Sequence, residues 1–207
     1  MRAYAALHDQ GVGLEATITV ATPVEHRDEI ADEQLMQRYQ RGDAAAFETL
    51  YRRHRDPVYR YLLRGISDRE RAQELFQEVW ASVVRVRATW EPRARFTTWL
   101  YRLAHNRLVD EYRAARLPAD TLEDEPAVAA PEHLQPESAV SGQQRLHRVL
   151  QAVQGLPPEQ RQAFLLKEEG GMSLEQIGEV TGVGRETVKS RLRYALAKLR
   201  LELSDVL

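Results

Sequence analysis

A chain of 207 residues with 43% hydrophobic and 29% charged residues has the composition of a folded protein of one large or two small domains. The absence of cysteine excludes disulfides, thiolate chemistry and cysteine-based zinc sites, and the six histidines (His8, His26, His54, His105, His133, His147) show no ligand spacing, so neither metal nor cofactor is expected. No apolar run approaches the ~18 residues needed to span a membrane and no signal-peptide pattern opens the chain, so a soluble cytoplasmic protein is expected. Aromatic residues are only 7% and β-branched runs are few, which disfavours a sheet protein.

The net charge of −2 hides an uneven distribution. Residues 51–116 hold 15 Arg against 8 acids, a balance of +7. Residues 117–141 hold 6 acids and no Lys or Arg, and 185–200 hold 6 basic residues against Glu186. Two basic blocks flanking an acidic spacer suit two separate contacts with a polyanion.

In chain order, residues 1–27 show no sustained period and read as a flexible N-terminal extension. Helical pattern starts near Asp28, with Ile30, Leu35, Met36 and Tyr39 on one side, and stops at Gly42. Asp43 caps a second helix carrying Phe47, Leu50 and Tyr51. Pro57 is expected to kink that helix or restart it, since proline lacks the N–H donor. Val58, Tyr59, Leu62 and Leu63 continue its apolar face until Gly65. Ser67 or Asp68 caps the next helix, which turns Ala72, Leu75, Phe76, Val79, Val83 and Val86 inward and leaves Glu70, Glu74, Gln77 and Glu78 wet. That wet stripe is either a plain solvated face or a docking surface. Residues 90–95 (WEPRAR) contain a proline and form a loop.

The loop leads into FTTWLYRLAHNRLVDEYR at 96–113. At roughly 100° per residue this helix has two unlike faces. Phe96, Leu100, Leu103, Ala104, Leu108 and Tyr112 share one. Arg102, His105, Asn106 and Arg113 share the other, which Arg95 extends, and Trp99 lies on the border. Fixed positive charge, an amide and a marginal aromatic ring suit nucleic-acid strands, although amphipathic surface helices with Arg on the wet side are common.

Residues 117–141 contain Pro118, Pro126, Pro131 and Pro136 among scattered acids and read as an extended linker. Pattern returns at Gln143 with Leu146, Val149, Leu150 and Val153, ending at Gly155. A helix over 159–168 carries Ala163, Phe164 and Leu166 and ends at Gly170 and Gly171. Ser173 with Gln176 is a capping box for a short helix bearing Leu174, Ile177 and Val180. After a tight turn at 181–184, a last helix over 185–202 places Val188, Leu192, Ala195, Leu196 and Leu199 inward. A short helix, a glycine turn and a longer basic helix make a helix-turn-helix. Glu186, Ser190 and Arg193 project away from the apolar stripe, Lys189 lies on its shoulder, and Arg185 and Arg191 flank the groove. Arg pairs with guanine or phosphate, Glu accepts from cytosine, and Ser or Lys serves either. A helical hairpin that merely packs is the competing interpretation.

ETVKSRLRYALAKLR at 186–200 resembles the recognition helix of sigma-70 region 4. AQELFQEVW at 72–80, followed by the 96–113 helix, resembles region 2 of the same family. With both in this order and spacing, and a linker between them, the chain resembles an extracytoplasmic-function (group IV) sigma factor. The resemblance implies an all-α fold of two small helical domains: region 2 over 28–116 and region 4 over 142–207, joined by the acidic Pro-rich linker 117–141. It implies binding to core RNA polymerase, to the clamp coiled coil through Gln73, Glu74, Gln77 and Glu78 and to the flap. Region 2 would melt the −10 element and capture a flipped base in the 90–95 loop near Asn106, which together with the helix makes Trp90, Arg93, Arg95, Phe96, Trp99, Arg102, His105 and Asn106 the candidate strand contacts. Region 4 would read the −35 element as duplex through Arg185, Glu186, Lys189, Ser190, Arg191 and Arg193. The linker would thread near the polymerase active centre, its acids mimicking nucleic acid.

In one place the chain departs from the family pattern. Arg71 and Gln73 stand where acids are common. Phosphorylation by a kinase at Thr49, Ser67 or Ser82 would restore negative charge, a phosphate adding about −1.5 to −2; the simpler expectation is that Glu70, Glu74 and Glu78 suffice. An anti-sigma factor is a further expected partner. A free-standing transcription regulator would share the helix-turn-helix but not the Trp99–Asn106 constellation, and an anti-sigma antagonist or adaptor is another binding-protein alternative. No Gly-rich phosphate loop, nucleophile elbow or paired-carboxylate spacing supports an enzyme.

Overall fold

The computed structural model describes residues 30–66, 68–116 and 142–204; the expected N-terminal extension and acidic linker lie outside them. Among the described residues the regular elements are helices: α1 Asp32–Gln40, α2 Ala44–Ile66, α3 Arg69–Val86, a 3-10 turn Arg87–Thr89, α4 Phe96–Arg116, α5 Gly142–Gln154, α6 Pro158–Glu168, α7 Leu174–Thr181 and α8 Arg185–Glu202.

Local signals account for most of these boundaries. Asp43 Oδ1 accepts from the Ala46 N–H at 3.2 Å to start α2, and Asp68 accepts from the Arg71 N–H at 3.0 Å to start α3. Two expectations need correcting. α1 begins at Asp32, and Ile30 is exposed rather than packed. α2 runs through Pro57 without restarting. The proline forfeits one i→i−4 hydrogen bond, while Val58, Tyr61 and Leu62 are buried directly beyond it and keep the segment helical.

The turn between α7 and α8 depends on two glycines. Gly182 caps α7 in the left-handed region at φ 71°, ψ 25°. Gly178 lies so close beneath the turn that a Cβ there would sit 2.7 Å from the Val183 carbonyl oxygen. At the other end the capping box is complete: Ser173 Oγ accepts from the Gln176 N–H at 3.2 Å, and Gln176 Oε1 accepts from the Ser173 N–H at 2.9 Å. Ser173→Ala should therefore cost about 1 kcal/mol of stability, read as a lowered urea midpoint with an unchanged slope.

α1–α4 form one group and α5–α8 a second, and the two share a continuous buried core. α4 is the central element. Its Phe96, Leu100, Ala104 and Leu108 are fully buried. Tyr101 and His105 are buried too, because α7 packs across α4 while α5 and α6 pack against α2. The helix expected to have one dry side has two.

Candidate nucleic-acid interface

α3 presents Gln73, Glu74, Gln77 and Glu78 as one exposed stripe. Arg71 does not lie in it. Its guanidinium turns back to Glu111 of α4 at 2.7 Å and to Glu74 at 2.6 Å, and Arg107 reaches Glu78 at 3.3 Å. The basic residue that breaks the acidic run thus ties α3 to α4. Ser82 is excluded as a kinase target: its side chain is buried and its hydroxyl donates to the Glu78 carbonyl at 2.8 Å. Thr49 is half-buried and donates to the Ala45 carbonyl at 3.0 Å; Ser67 lies outside the described residues.

At the start of α4 the aromatic residues divide into support and surface. Trp90 is only 6% exposed and Phe96 not at all. Neither offers a face for a base, contrary to the sequence expectation. Their rings pack behind Trp99, with centroids 6.2 and 5.7 Å from it, and Trp99 itself is half-buried. Arg93, Arg95 and Asn106 are exposed, and Arg93 pairs locally with Glu91 at 2.7 Å. Arg102 is exposed, but its Nη2 donates to the Glu179 carbonyl of α7 at 3.0 Å.

His105 is the second correction. It is buried, with Nδ1 3.4 Å from the Tyr61 hydroxyl. Burial pulls its pKa down to about 4, and the Arg191 guanidinium pushes the same way. The imidazole is neutral at pH 7 and adds no charge to the face. Thr98, Tyr101 and His105 form a second dry stripe on α4, and the i, i+3, i+7 spacing was the one signal in the sequence that could have revealed it.

In α8, Glu186, Lys189 and Arg193 are exposed, and Ser190 and Arg191 are half-buried. Arg185 is also exposed; it pairs with Glu175 at 2.7 Å and Glu186 at 3.1 Å. Val188, Ala195 and Leu199 are buried, as expected. Arg193 also stacks on the Tyr194 ring, 5.1 Å from its centroid.

The seam between the two groups carries residues that sequence reasoning missed. The Glu169 side chain, 7% exposed, pairs with Arg60 at 2.7 Å and with Arg64. The Glu169 carbonyl accepts from the Tyr101 hydroxyl at 3.0 Å. Gln154 donates to the Arg64 carbonyl at 2.9 Å, Gln176 to Thr98 at 3.4 Å, and Arg161 lies over the Tyr112 ring at 6.0 Å. Partners about a hundred residues apart leave no local pattern, so nothing near Glu169 marked it. In this closed arrangement α7 covers part of the basic face of α4.

Residues 50–117 match the sequence profile of sigma-70 region 2 and residues 146–199 that of sigma-70 region 4. The RNA polymerase sigma factor CarQ of Myxococcus xanthus is 34% identical over 83% of this chain and 97% of its own. The ECF RNA polymerase sigma factor SigM of Mycobacterium tuberculosis is 32% identical over 84% and 85%. Among solved structures, CnrH in complex with the cytosolic domain of CnrY is 23% identical and shares the fold, with a TM-score of 0.64 over 85% of this chain and 99% of that one.

Proposed function

The chain belongs to the extracytoplasmic-function sigma factors of the sigma-70 family, which direct RNA polymerase to promoters, and from that premise we propose how its surfaces divide the work. Residues 28–116 dock on the polymerase clamp through Gln73, Glu74, Gln77 and Glu78 and hold the separated −10 strand with Trp99, Asn106, Arg93, Arg95 and, once the modules part, Arg102. Residues 142–207 read the −35 duplex through Arg185, Glu186, Lys189, Ser190, Arg191 and Arg193, and 117–141 join the two. The chain acts in the cytoplasm as an initiation factor with no chemistry of its own.

One observation carries the strand assignment. Asn106 is exposed on the same helix that begins at the 90–95 loop, whose Arg93 and Arg95 stand free of the core while Trp90 and Phe96 back the Trp99 ring. Exposed base planes stack on such a ring for about 1–3 kcal/mol each, and the guanidinium groups neutralise the backbone. Because α7 lies across Arg102, promoter binding requires the closed form to open. An anti-sigma protein that favours the closed form is the kind of regulator this fits; the fold relative CnrH is itself found in complex with the cytosolic domain of CnrY. Run-off transcription with core polymerase tests the assignment. Trp99→Ala and Asn106→Ala should lose run-off product and open complex while binding of −35 duplex by Arg193 is kept; full activity in both variants defeats it.

A further inference from the structure

The short first helix carries a role that its length and position do not advertise. Two of its side chains hold the two ends of the 90–95 loop. Gln40 Nε2 donates to the Trp90 carbonyl at 2.6 Å, and Glu33 Oε1 accepts from the Phe96 N–H at 2.6 Å. Residues 33 and 40 lie two helical turns apart, about 10.5 Å along the axis, so α1 acts as a spacer of fixed length between the loop's entry and exit. Glu33 also satisfies one of the N–H groups that α4 leaves open at its first turn, where negative charge is favoured.

The spacer is itself anchored. Asp32 accepts from Arg53 at 2.8 Å and pairs with His54 at 2.7 Å, both on α2. Burial alone would raise the Asp32 carboxyl, but the hydrogen bonds and charges of His54 and Arg53 outweigh it and hold the carboxyl below its usual range. Arg87, just ahead of the loop, stacks over the Tyr39 ring at 5.0 Å.

We propose that Glu33 and Gln40 are positioning residues for the separated promoter strand: they set the span of the 90–95 loop and so place Arg93, Arg95 and Trp99 in register with the bases they receive. A loop pinned at both ends has less freedom to lose when a strand enters it. Without the pins the loop still carries the same charges, but it must be ordered at the moment of binding. Affinity for single strand then falls, and discrimination between bases at the captured position flattens.

The proposal rests on the assignment of the 90–95 loop to the separated strand, and the test tells the two apart. Full-length protein with core polymerase is titrated with forks, each a duplex with a single-stranded overhang containing 2-aminopurine, that differ in one overhang base. Gln40→Glu keeps the side chain's size but cannot donate to the Trp90 carbonyl; Glu33→Ala removes the acceptor, and Glu33→Gln keeps one. Gln40→Glu and Glu33→Ala together should weaken fork binding about tenfold, the loss of roughly one charge-assisted hydrogen bond. They should also shrink the spread among the forks and the 2-aminopurine signal at saturation, and leave −35 duplex binding unchanged. Glu33→Gln, which keeps an acceptor but not the charge, should fall between the parent and Glu33→Ala. A purely structural role predicts a lowered melting temperature with the saturated signal and base preference intact, and that result overturns the proposal. It is also overturned if the paired variant matches the parent while Arg93→Ala with Arg95→Ala is impaired. If those arginine variants are silent as well, the loop assignment itself falls.

Discussion

Glu169→Ala should open the protein and strengthen its binding to a premelted −10 fork by about five- to thirtyfold. The Glu169 carboxylate is 7% exposed and faces Arg60 and Arg64, which are 48% and 30% exposed. A fully exposed pair is worth about 0.2–1 kcal/mol, and breaking a fully buried one costs about 3–5 kcal/mol. This arrangement lies between, with one buried partner and two that keep water, so about 1–2 kcal/mol leaves the closed form when the carboxylate goes. At about 1.4 kcal/mol per factor of ten, that gives the stated range, provided the closed form dominates in the free protein. The alanine keeps the backbone intact, so the bond from the Tyr101 hydroxyl to the Glu169 carbonyl survives and α6 need not unravel. A larger radius of gyration by small-angle scattering should accompany the tighter binding. Pairing Glu169→Arg with Arg64→Glu should restore compactness. An unchanged radius in Glu169→Ala would mean that apolar packing of α7 on α4 holds the seam without it.

The seam also explains where sequence reasoning stopped. Helix ends were legible because their causes are local: Asp43, Asp68, the Ser173–Gln176 box and Gly182 each act within a few residues of the boundary they set. The apolar stripes of α3 and α8 were legible for the same reason, apart from Phe76, Val86, Leu192 and Leu196, which remain half-buried. At Pro57 the restart alternative falls, because packing of Val58, Tyr61 and Leu62 keeps α2 helical despite one missing hydrogen bond. Periodicity presents the candidate site as one wet face, and there the missing information is non-local. Periodicity assigns a helix one inside. It cannot report that a second helical group, α5–α8, will cover Thr98, Tyr101 and His105. Trp90 and Phe96 failed for a related reason: the residue types that stack on bases also fill cores, and only packing against Trp99 separates the two uses.

Mild acid should favour the open form, and His105 should account for most of that effect. In the closed form burial holds its imidazole at about 4, with the Arg191 guanidinium acting in the same direction and the Tyr61 hydroxyl as its near polar neighbour. When α7 and α8 move away, the ring regains water and its pKa returns towards about 6.5. The sign follows from which form binds the proton more readily. The closed form has the lower pKa, so its advantage is complete above about pH 6.5 and is lost as pH falls from there towards 4. Between pH 7.5 and pH 5 the loss is on the order of 1–2 kcal/mol, since a difference of one pKa unit is worth about 1.4 kcal/mol. A donor–acceptor pair, one label on α3 and one on α8, should therefore report falling transfer efficiency across that interval. His105→Gln removes the titrating group while keeping polarity and similar bulk, and its profile should be flatter over the same range. Arg191→Gln should weaken the acid response, because without the neighbouring positive charge the closed-form pKa rises towards that of the open form and less closed-form stability is lost as pH falls. Identical pH profiles in the parent and His105→Gln would assign the acid response to other groups and remove His105 from the account.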